Sequence, residues 1–404
     1  MNQSTSPVRD GQAFSARARA LLERLGAPAG ATLVRAPGRV NLIGEHTDYN
    51  EGFVLPAAIG LEVWLAFEPW DRPRVELTSA EFGETCALDF DDLTTGHRQA
   101  ASWIDYVAGT AWAMREAGLP IRGFRGVLDS TIPVGSGLSS SAALELASSW
   151  ALADPSAPRP APPRMAAVAQ RGENAYVGVN CGIMDQFASA AGVDGHCLLI
   201  DCRTKEFRAT PIPEGLSILV CDTGSPRRLS TSEYNTRRSE CELGARLIAE
   251  REQGVKALRD VDAAMLSRNR SRLPEVVARR CEHVVQEDAR VMAAVASLAA
   301  GDLDEVGRLF AASHASLRDL YEVGSPALDA MVEIARDVPG VVASRMTGAG
   351  FGGCTVNLVH NGAEEDLRRR VLAEYPARTG LEPRVFVASA VAGAGPILAG
   401  DLTR

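Results

Sequence analysis

The chain has 404 residues, 46% of them apolar and 23% charged; this is the composition of a soluble globular protein, and the length exceeds what one core of ordinary size organises, so two domains are expected. A net charge of -9 excludes a nucleic-acid surface, which needs clustered cations, and no window of about 18 apolar residues exists to span a membrane. Eight cysteines show no C-x-x-C pair and no zinc spacing, and the polar N-terminus lacks a signal-peptide core, so reduced thiols in the cytoplasm are expected.

In chain order, residues 1–11 read as a disordered tail. Phe14, Leu21, Leu22 and Leu25 then share one helical face, with Gly26 as the stop. A strand over 32–37 enters G-R-V-N-L-I-G-E-H-T-D-Y-N-E-G-F-V-L-P at 38–56, where the alternation of Val40 and Leu42 predicts a short strand opening into a loop. Alternation over 61–68 gives a half-buried strand, with 75–79 pairing beside it. Trp103, Val107 and Met114 space a helix. A strand over 124–130 is followed by a loop over 133–141 and a helix from Leu138 onward. The run D-P-S-A-P-R-P-A-P-P-R at 154–164 is neither helical nor central strand and reads as an exposed connector. A helix over 164–176 ends before Gly178, and 196–202 and 216–222 form a strand pair. The boundary between an N-terminal domain over 12–210 and a C-terminal domain over 211–404 is expected at the P-I-P-E-G turn. Beyond it, helices over 232–251 and 273–298 alternate with strands over 341–346, 354–360 and 384–389.

Three stretches carry chemistry. From Arg39 to Tyr49 the chain sets out a guanidinium, an amide, two carboxylates, an imidazole and a phenol around a short apolar run. Glu45, His46 and Asp48 presented together suit a small polyol, whose hydroxyls are read by donors and acceptors at fixed angles, each unpaired group costing about 1–3 kcal/mol. A well-bonded turn with a satisfied histidine would account for the same residues. P-V-G-S-G-L-S-S-S-A at 133–142 places glycines before the first turn of a helix, where free N–H groups and the helix dipole hold phosphate without a lysine. That matters here, because only Lys205 and Lys256 are lysine and neither stands in a Walker-type loop or at the strand position of a protein kinase. G-A-G-F-G-G at 348–353 is a third glycine loop. A triphosphate brings Mg²⁺, which takes one or two protein oxygens; Ser141 and Glu173 are the candidates.

The first stretch resembles the galactokinase signature, the second is similar to the phosphate loop of the GHMP kinase superfamily, and M-T-G-A-G-F-G-G-C at 346–354 resembles its third motif. C-G-I-M-D-Q-F at 181–187 and S-E-Y-N-T-R-R-S-E-C at 232–241 also match galactokinases, and the five segments stand in family order. The resemblance implies ATP-dependent phosphorylation of the anomeric hydroxyl of galactose to galactose 1-phosphate. It implies an α/β (α+β) fold in two lobes, an N-terminal mixed sheet with helices and a C-terminal ferredoxin-like lobe, with the active site in the cleft. It makes Asp185 the base and Arg39 the cation beside it. Glu45, His46, Asp48, Gly182 and Tyr234 would hold the sugar, as would Arg39 and Asp185. The backbone of Gly135, Ser136, Gly137, Leu138, Ser139, Ser140 and Ser141 would wrap the phosphates of ATP. Ser141 and Glu173 would serve Mg²⁺, and Trp103 with Tyr106 would lie near the adenine. A monomer acting on a small molecule is expected, with no nucleic acid or membrane partner.

A guanidinium beside the Asp185 carboxylate favours its charged form, ready for the hydroxyl proton. Ala349 departs from the glycine of many relatives, and the proline-rich connector is a local elaboration. A kinase for N-acetylgalactosamine or arabinose would share all three loops, and a non-catalytic sugar sensor would share the fold. A serine hydrolase lacks its G-x-S-x-G elbow here.

Overall fold

The structure, a computed structural model, describes residues 11–28, 30–94, 102–225 and 230–397; the tail expected at 1–11 lies outside these except for Gly11. The first lobe contains α1 (Gly11–Arg24), β1 (Thr32–Asn41), β2 (Phe53–Val54), β3 (Pro56–Trp70), β4 (Arg74–Ser79), β5 (Glu84–Asp89), α2 (Trp103–Glu116), β6 (Gly123–Ser130) and α3 (Ser140–Leu152). It continues with α4 (Pro162–Arg171), a π-helical turn at Gly172–Val177, α5 (Met184–Ala191), β7 (His196–Asp201) and β8 (Phe207–Pro211). The second comprises β9 (Leu216–Asp222), α6 (Ser230–Ala249), α7 (Ala263–Asn269), α8 (Glu275–Ala300), α9 (Leu303–Asp319), α10 (Pro326–Arg336), β10 (Val341–Thr347), β11 (Cys354–His360), α11 (Glu364–Thr379) and β12 (Arg384–Ala388). The last strand, β13 (Gly395–Pro396), returns to pair with β1.

A mixed sheet of order β13-β1-β3-β6-β4-β5 is the floor of the first lobe. Residues 75–79 were expected beside the long strand β3, but β6 lies between: β4 runs parallel to β6, and the parallel pair is joined through β5 and α2, the kind of crossover that parallel strands require. The expected pairing of 196–202 with 216–222 is also corrected. β7 pairs with β8, its neighbour across a tight turn, while β9 lies between β11 and β12 in the second sheet. The sequence explains both placements. In β8, F-R-A-T-P, only Thr210 is buried, so the strand is nearly silent; in β9, L-S-I-L-V-C-D, five successive residues are buried, as in a central strand.

The second sheet, of order β10-β11-β9-β12 and antiparallel throughout, is ferredoxin-like, with α11 connecting β11 to β12. The lobes share one continuous core, in which Val291 and Ala294 of α8, Phe310 of α9 and Val356 of β11 join Leu42, Ile43 and Leu55. Among the described residues no helix is long and apolar enough to cross a membrane.

Helix α2 crosses the π-helical turn at two facing glycines. A Cβ on Gly172 would stand 2.6 Å from the Gly109 carbonyl oxygen, and one on Gly109 would stand 2.9 Å from that of Gly172. This crossing seats the turn that carries Glu173. Replacing Gly172 with Ala should therefore destabilise the protein by about 1–3 kcal/mol through overpacking, measured by urea denaturation; an unchanged midpoint would show that the crossing yields without cost.

Candidate active site

β1 carries the first functional side chain. Arg39 donates from Nε to Asp185 Oδ1 at 2.8 Å and from Nη2 to Oδ2 at 2.7 Å, a planar two-point grip, while its Nη1 donates to the Gly137 carbonyl at 2.7 Å. Ser139 adds a third donor to the acid, Oγ to Oδ2 at 2.6 Å. Ser139 sits at the N-cap of α3 in the left-handed region (φ 65°), and its hydroxyl is turned to Asp185 instead of capping the helix. The first-turn N–H groups of α3 are thereby left without a side-chain acceptor at the edge of the cleft, as anion binding requires.

The loop after β1 is held from the second lobe. Asn41 N–H donates to Thr347 Oγ1 at 2.9 Å, and Arg345 Nη1 donates to the carbonyls of Leu42 and Asn41 at 3.0 and 3.3 Å. Glu45 accepts from Gly348 N–H at 3.0 Å and forms an ion pair with Arg345, both side chains being buried. Gly44 N–H reaches Glu287 Oε1 at 3.0 Å, and His283 Nε2 lies 3.1 Å from the Glu45 carbonyl. Burial pushes Glu45 above the usual carboxylate range even with Arg345 beside it. At Glu287 burial acts upward too, but Arg290, His283 and Arg345 overcome it and hold the carboxyl down to about 2.

His46 (φ 64°) is a second non-glycine residue in the left-handed region, the kind of strain that functional loops carry. Its Nδ1 lies 2.8 Å from the Tyr49 hydroxyl, which lies 2.7 Å from that of Tyr321, itself 3.1 Å from Cys241 Sγ. Burial drives the imidazole well below its ordinary pKa, so His46 is neutral at pH 7. Asp48 packs against Gly182, where a Cβ would stand 1.7 Å from Oδ2. Burial, reinforced by Asp185, pushes Asp48 up to about 6.

Behind Ser141 lie two buried acids. Glu173 accepts from Gln186 Nε2 at 2.5 Å and from Cys181 Sγ at 3.4 Å; Glu145 accepts from the same Gln186 nitrogen at 3.1 Å, and its Oε1 is buried with no partner. Burial, and then their neighbouring acids, raise both, Glu173 to about 7. Neither forms an ion pair with a cationic side chain among the described residues. Uncompensated carboxylates beside a serine hydroxyl form a donor set that fits a hard divalent cation.

These groups line one open cleft of about 270 Å³. Arg39, Glu45, His46, Asp48, Gly182, Asp185 and Tyr234 line it together with Gly135, Gly137, Ser139, Ser140, Ser141 and Glu173. Ser136 and Leu138 face inward: Ser136 Oγ donates to the Pro133 carbonyl at 2.7 Å, and Leu138 is buried in the core, its carbonyl accepting from Arg39 N–H at 3.1 Å. Trp103 and Tyr106 stand outside the lining. The Trp103 indole donates to Glu84, and burial, then Glu173, raises the Tyr106 phenol. Cys181 and Asn235 line the cleft without having been singled out. Glu145 was readable as the one charged residue in A-A-L-E-L-A, four positions after Ser141 and so on the same helical face. Arg345 had no sequence signal beyond its place next to the third glycine loop.

The two-lobed fold with this loop-and-helix cleft is that of the GHMP kinases. Family models described as GHMP kinases N terminal domain and GHMP kinases C terminal match residues 105–193 and 294–377, and the galactokinase galactose-binding signature matches 22–69. A galactokinase of Roseiflexus sp. (strain RS-1) is 41% identical over 366 residues, 91% of this chain and 93% of that protein. One from Chloroflexus aggregans is 42% identical over 369 residues, 91% and 94% of the two chains. The Lactococcus lactis galactokinase solved in complex with galactose has a TM-score of 0.89 at 33% identity, covering 95% of this chain and 100% of that one. Methanococcus jannaschii mevalonate kinase, 18% identical with a TM-score of 0.62 over 90% of this chain and 100% of that one, shares the fold. The chain belongs to the galactokinase family.

Two outcomes follow from the electrostatics. Arg345→Met leaves Glu45 buried without its cation and should cost about 3–5 kcal/mol in chemical denaturation; a loss under about 1 kcal/mol would show that the pair does not hold the loop. Asp288, behind the loop, accepts from Phe53 N–H at 2.8 Å, and burial pushes it up to about 7. A raised carboxyl contributes stability that is complete below its unfolded pKa of about 3.9 and lost as pH rises through the folded value. The ligand-free protein should therefore lose stability between about pH 4 and pH 7, and Asp288→Asn should flatten that slope; a slope unchanged by the substitution would rule Asp288 out as its source.

Proposed function

We propose that this chain transfers the γ-phosphoryl group of ATP to the anomeric hydroxyl of D-galactose, giving galactose 1-phosphate and ADP. The observation that carries the reading is the Asp185 carboxylate, fixed by Arg39 at two points and by Ser139 at a third, between the sugar-loop residues and the open start of α3. Family membership supports ATP as the donor, and the galactose complex of the Lactococcus lactis relative supports the sugar.

In this reading the sugar hydroxyl gives its proton to Asp185 as its oxygen bonds to the γ-phosphorus. The bond from that phosphorus to the β–γ bridging oxygen breaks, and ADP leaves. Arg39 lies beside the developing alkoxide. Because phosphoryl transfer is largely metaphosphate-like, positioning and charge stabilisation outweigh proton removal. His46, neutral and braced by Tyr49, reads sugar hydroxyls together with Glu45, Asp48 and Tyr234, while Gly182 leaves the room that Asp48 needs. The N–H groups at the start of α3 and the backbone of Gly135 and Gly137 hold the phosphates.

Ser141 and Glu173, with Glu145 beside them, are the groups that would hold Mg²⁺, which supplies neutralising charge to the phosphates. Tyr106, whose phenol is raised in part by Glu173, and Trp103 a turn before it mark the direction we assign to the adenine. Eight cysteines with no C-x-x-C pair among them suit a reducing compartment, and we assign the cytoplasm on that ground.

A coupled ADP assay over galactose, N-acetylgalactosamine and arabinose tests the substrate: galactose should give the highest kcat/KM, and a higher value for either of the others would replace it. Asp185→Ala should lower kcat on galactose by about 10²–10⁴-fold while calorimetric ATP binding persists. Near-normal turnover at saturating substrates would remove Asp185 from the chemistry.

A further inference from the structure

A second cavity, of about 330 Å³, lies in the first lobe at the other end of α3. Its walls are Phe67 of β3, Met114 and Leu119 at the end of α2, Trp150 of α3, Met165 of α4 and the prolines of the 154–161 connector. Ser149, which lines it, stands eight residues after Ser141 on α3, so about 12 Å of helix, at 1.5 Å per residue, separates it from the phosphate loop, and the two cavities share no lining residue.

Two guanidiniums line this largely apolar space. Arg159 lies over the Trp150 ring, 3.0 Å from its centroid, and its one hydrogen bond among the described residues is a long 3.5 Å contact to Ser149 Oγ. Arg122 has its Nε buried without an acceptor. Neither forms an ion pair among the described residues. Asp154, the acid in the lining, has turned its Oδ1 to the backbone N–H and hydroxyl of Ser156, at 2.9 and 2.7 Å. Burial without a counter-charge lowers Arg159 to about 9. A half-buried guanidinium with no acid beside it is an unfavourable arrangement that a bound anion relieves.

We propose that this cavity binds a small monoanionic carboxylate with a flat apolar body, the carboxylate held by Arg159 and Arg122. Two cations and one acid leave a single positive charge, which selects a monoanion over a phosphate dianion. The guanidinium fork matches a carboxylate at two points. The apolar walls take a ring, and prolines at 155, 158 and 160 fix the connector in advance, so that little ordering cost opposes binding.

The test uses 2-naphthoate and its uncharged analogue 2-naphthalenemethanol, titrated calorimetrically into the full chain. One site is expected, with naphthoate favoured by at least about tenfold, as a hydrogen-bonded charge provides, and undisturbed by saturating galactose and ATP. Arg159→Gln should remove that preference while sugar phosphorylation stays normal, which also reports that the variant folds; Arg159→Lys, which keeps charge without the fork, should be intermediate. Equal affinity for the two probes, no binding of either, displacement by galactose and ATP, or an active Arg159→Gln protein that binds naphthoate as tightly as wild type would overturn the proposal.

Discussion

The buried ion pair between Glu45 and Arg345 is the interaction on which the rest of the cleft depends. It joins a loop of the first lobe to a strand of the second at a point where neither side chain reaches solvent. Taking two charges out of water is repaid only when their remaining hydrogen-bonding groups are also satisfied. Here the backbone does this in part: the carbonyls of Asn41 and Leu42 accept from Arg345 and Gly348 N–H donates to Glu45, while Arg345 Nε stays buried without an acceptor. The same contacts tie β10 and the third glycine loop to the sugar loop, so the two walls of the cleft are set by one network. A continuous core through α8, α9 and β11 backs it, which makes the lobes a single packed body around the cleft.

Rigidity of this kind serves a site that must read hydroxyls. A polyol offers little apolar area, so discrimination comes from polar groups whose positions are fixed before the ligand arrives and which lose a partner when the wrong sugar binds. The strained backbone at His46 directly follows Glu45 in that network, and that at Ser139 is tied by its hydroxyl to Asp185. Ser139 turns its hydroxyl to Asp185 and not to its own helix, so one residue both holds the acid and leaves the first-turn N–H groups of α3 without a side-chain acceptor.

Much of this was legible in the sequence, for identifiable reasons. Apolar periodicity gave β3, β6, β11 and the long helices α6 and α8, although β3, expected half-buried, is covered on both faces over 62–67, as β11 is over 354–359. It failed where a strand shows little burial, as at β8, and that omission led to pairing β7 with β9. The neighbour of β4 was missed because its parallel pairing with β6 is not encoded locally: the crossover through β5 and α2 decides it. The chemistry-bearing residues were found where several functional types crowd a short stretch, as from Arg39 to Asp48. Residues that act alone from distant strands were not. Arg345 is one arginine among forty, and only the fold brings it to Glu45, 300 positions away.

The same contrast separates Glu145 from Asp185. Both are acids on helices that begin at the cleft, Glu145 in the second turn of α3 and Asp185 in the first turn of α5. Asp185 is met by three donors, whereas Glu145 and Glu173 share one amide nitrogen and are met by no cation among the described residues. Where donors surround an acid, its geometry is fixed and it can serve as an oriented proton acceptor. Where acids face each other, burial raises them and the charge they carry calls for a counter-ion. The two ends of the cleft therefore use the same side-chain type for opposite purposes, and what distinguishes them is the neighbour that the fold supplies: an arginine from β1 for one, a second carboxylate from the π-helical turn for the other.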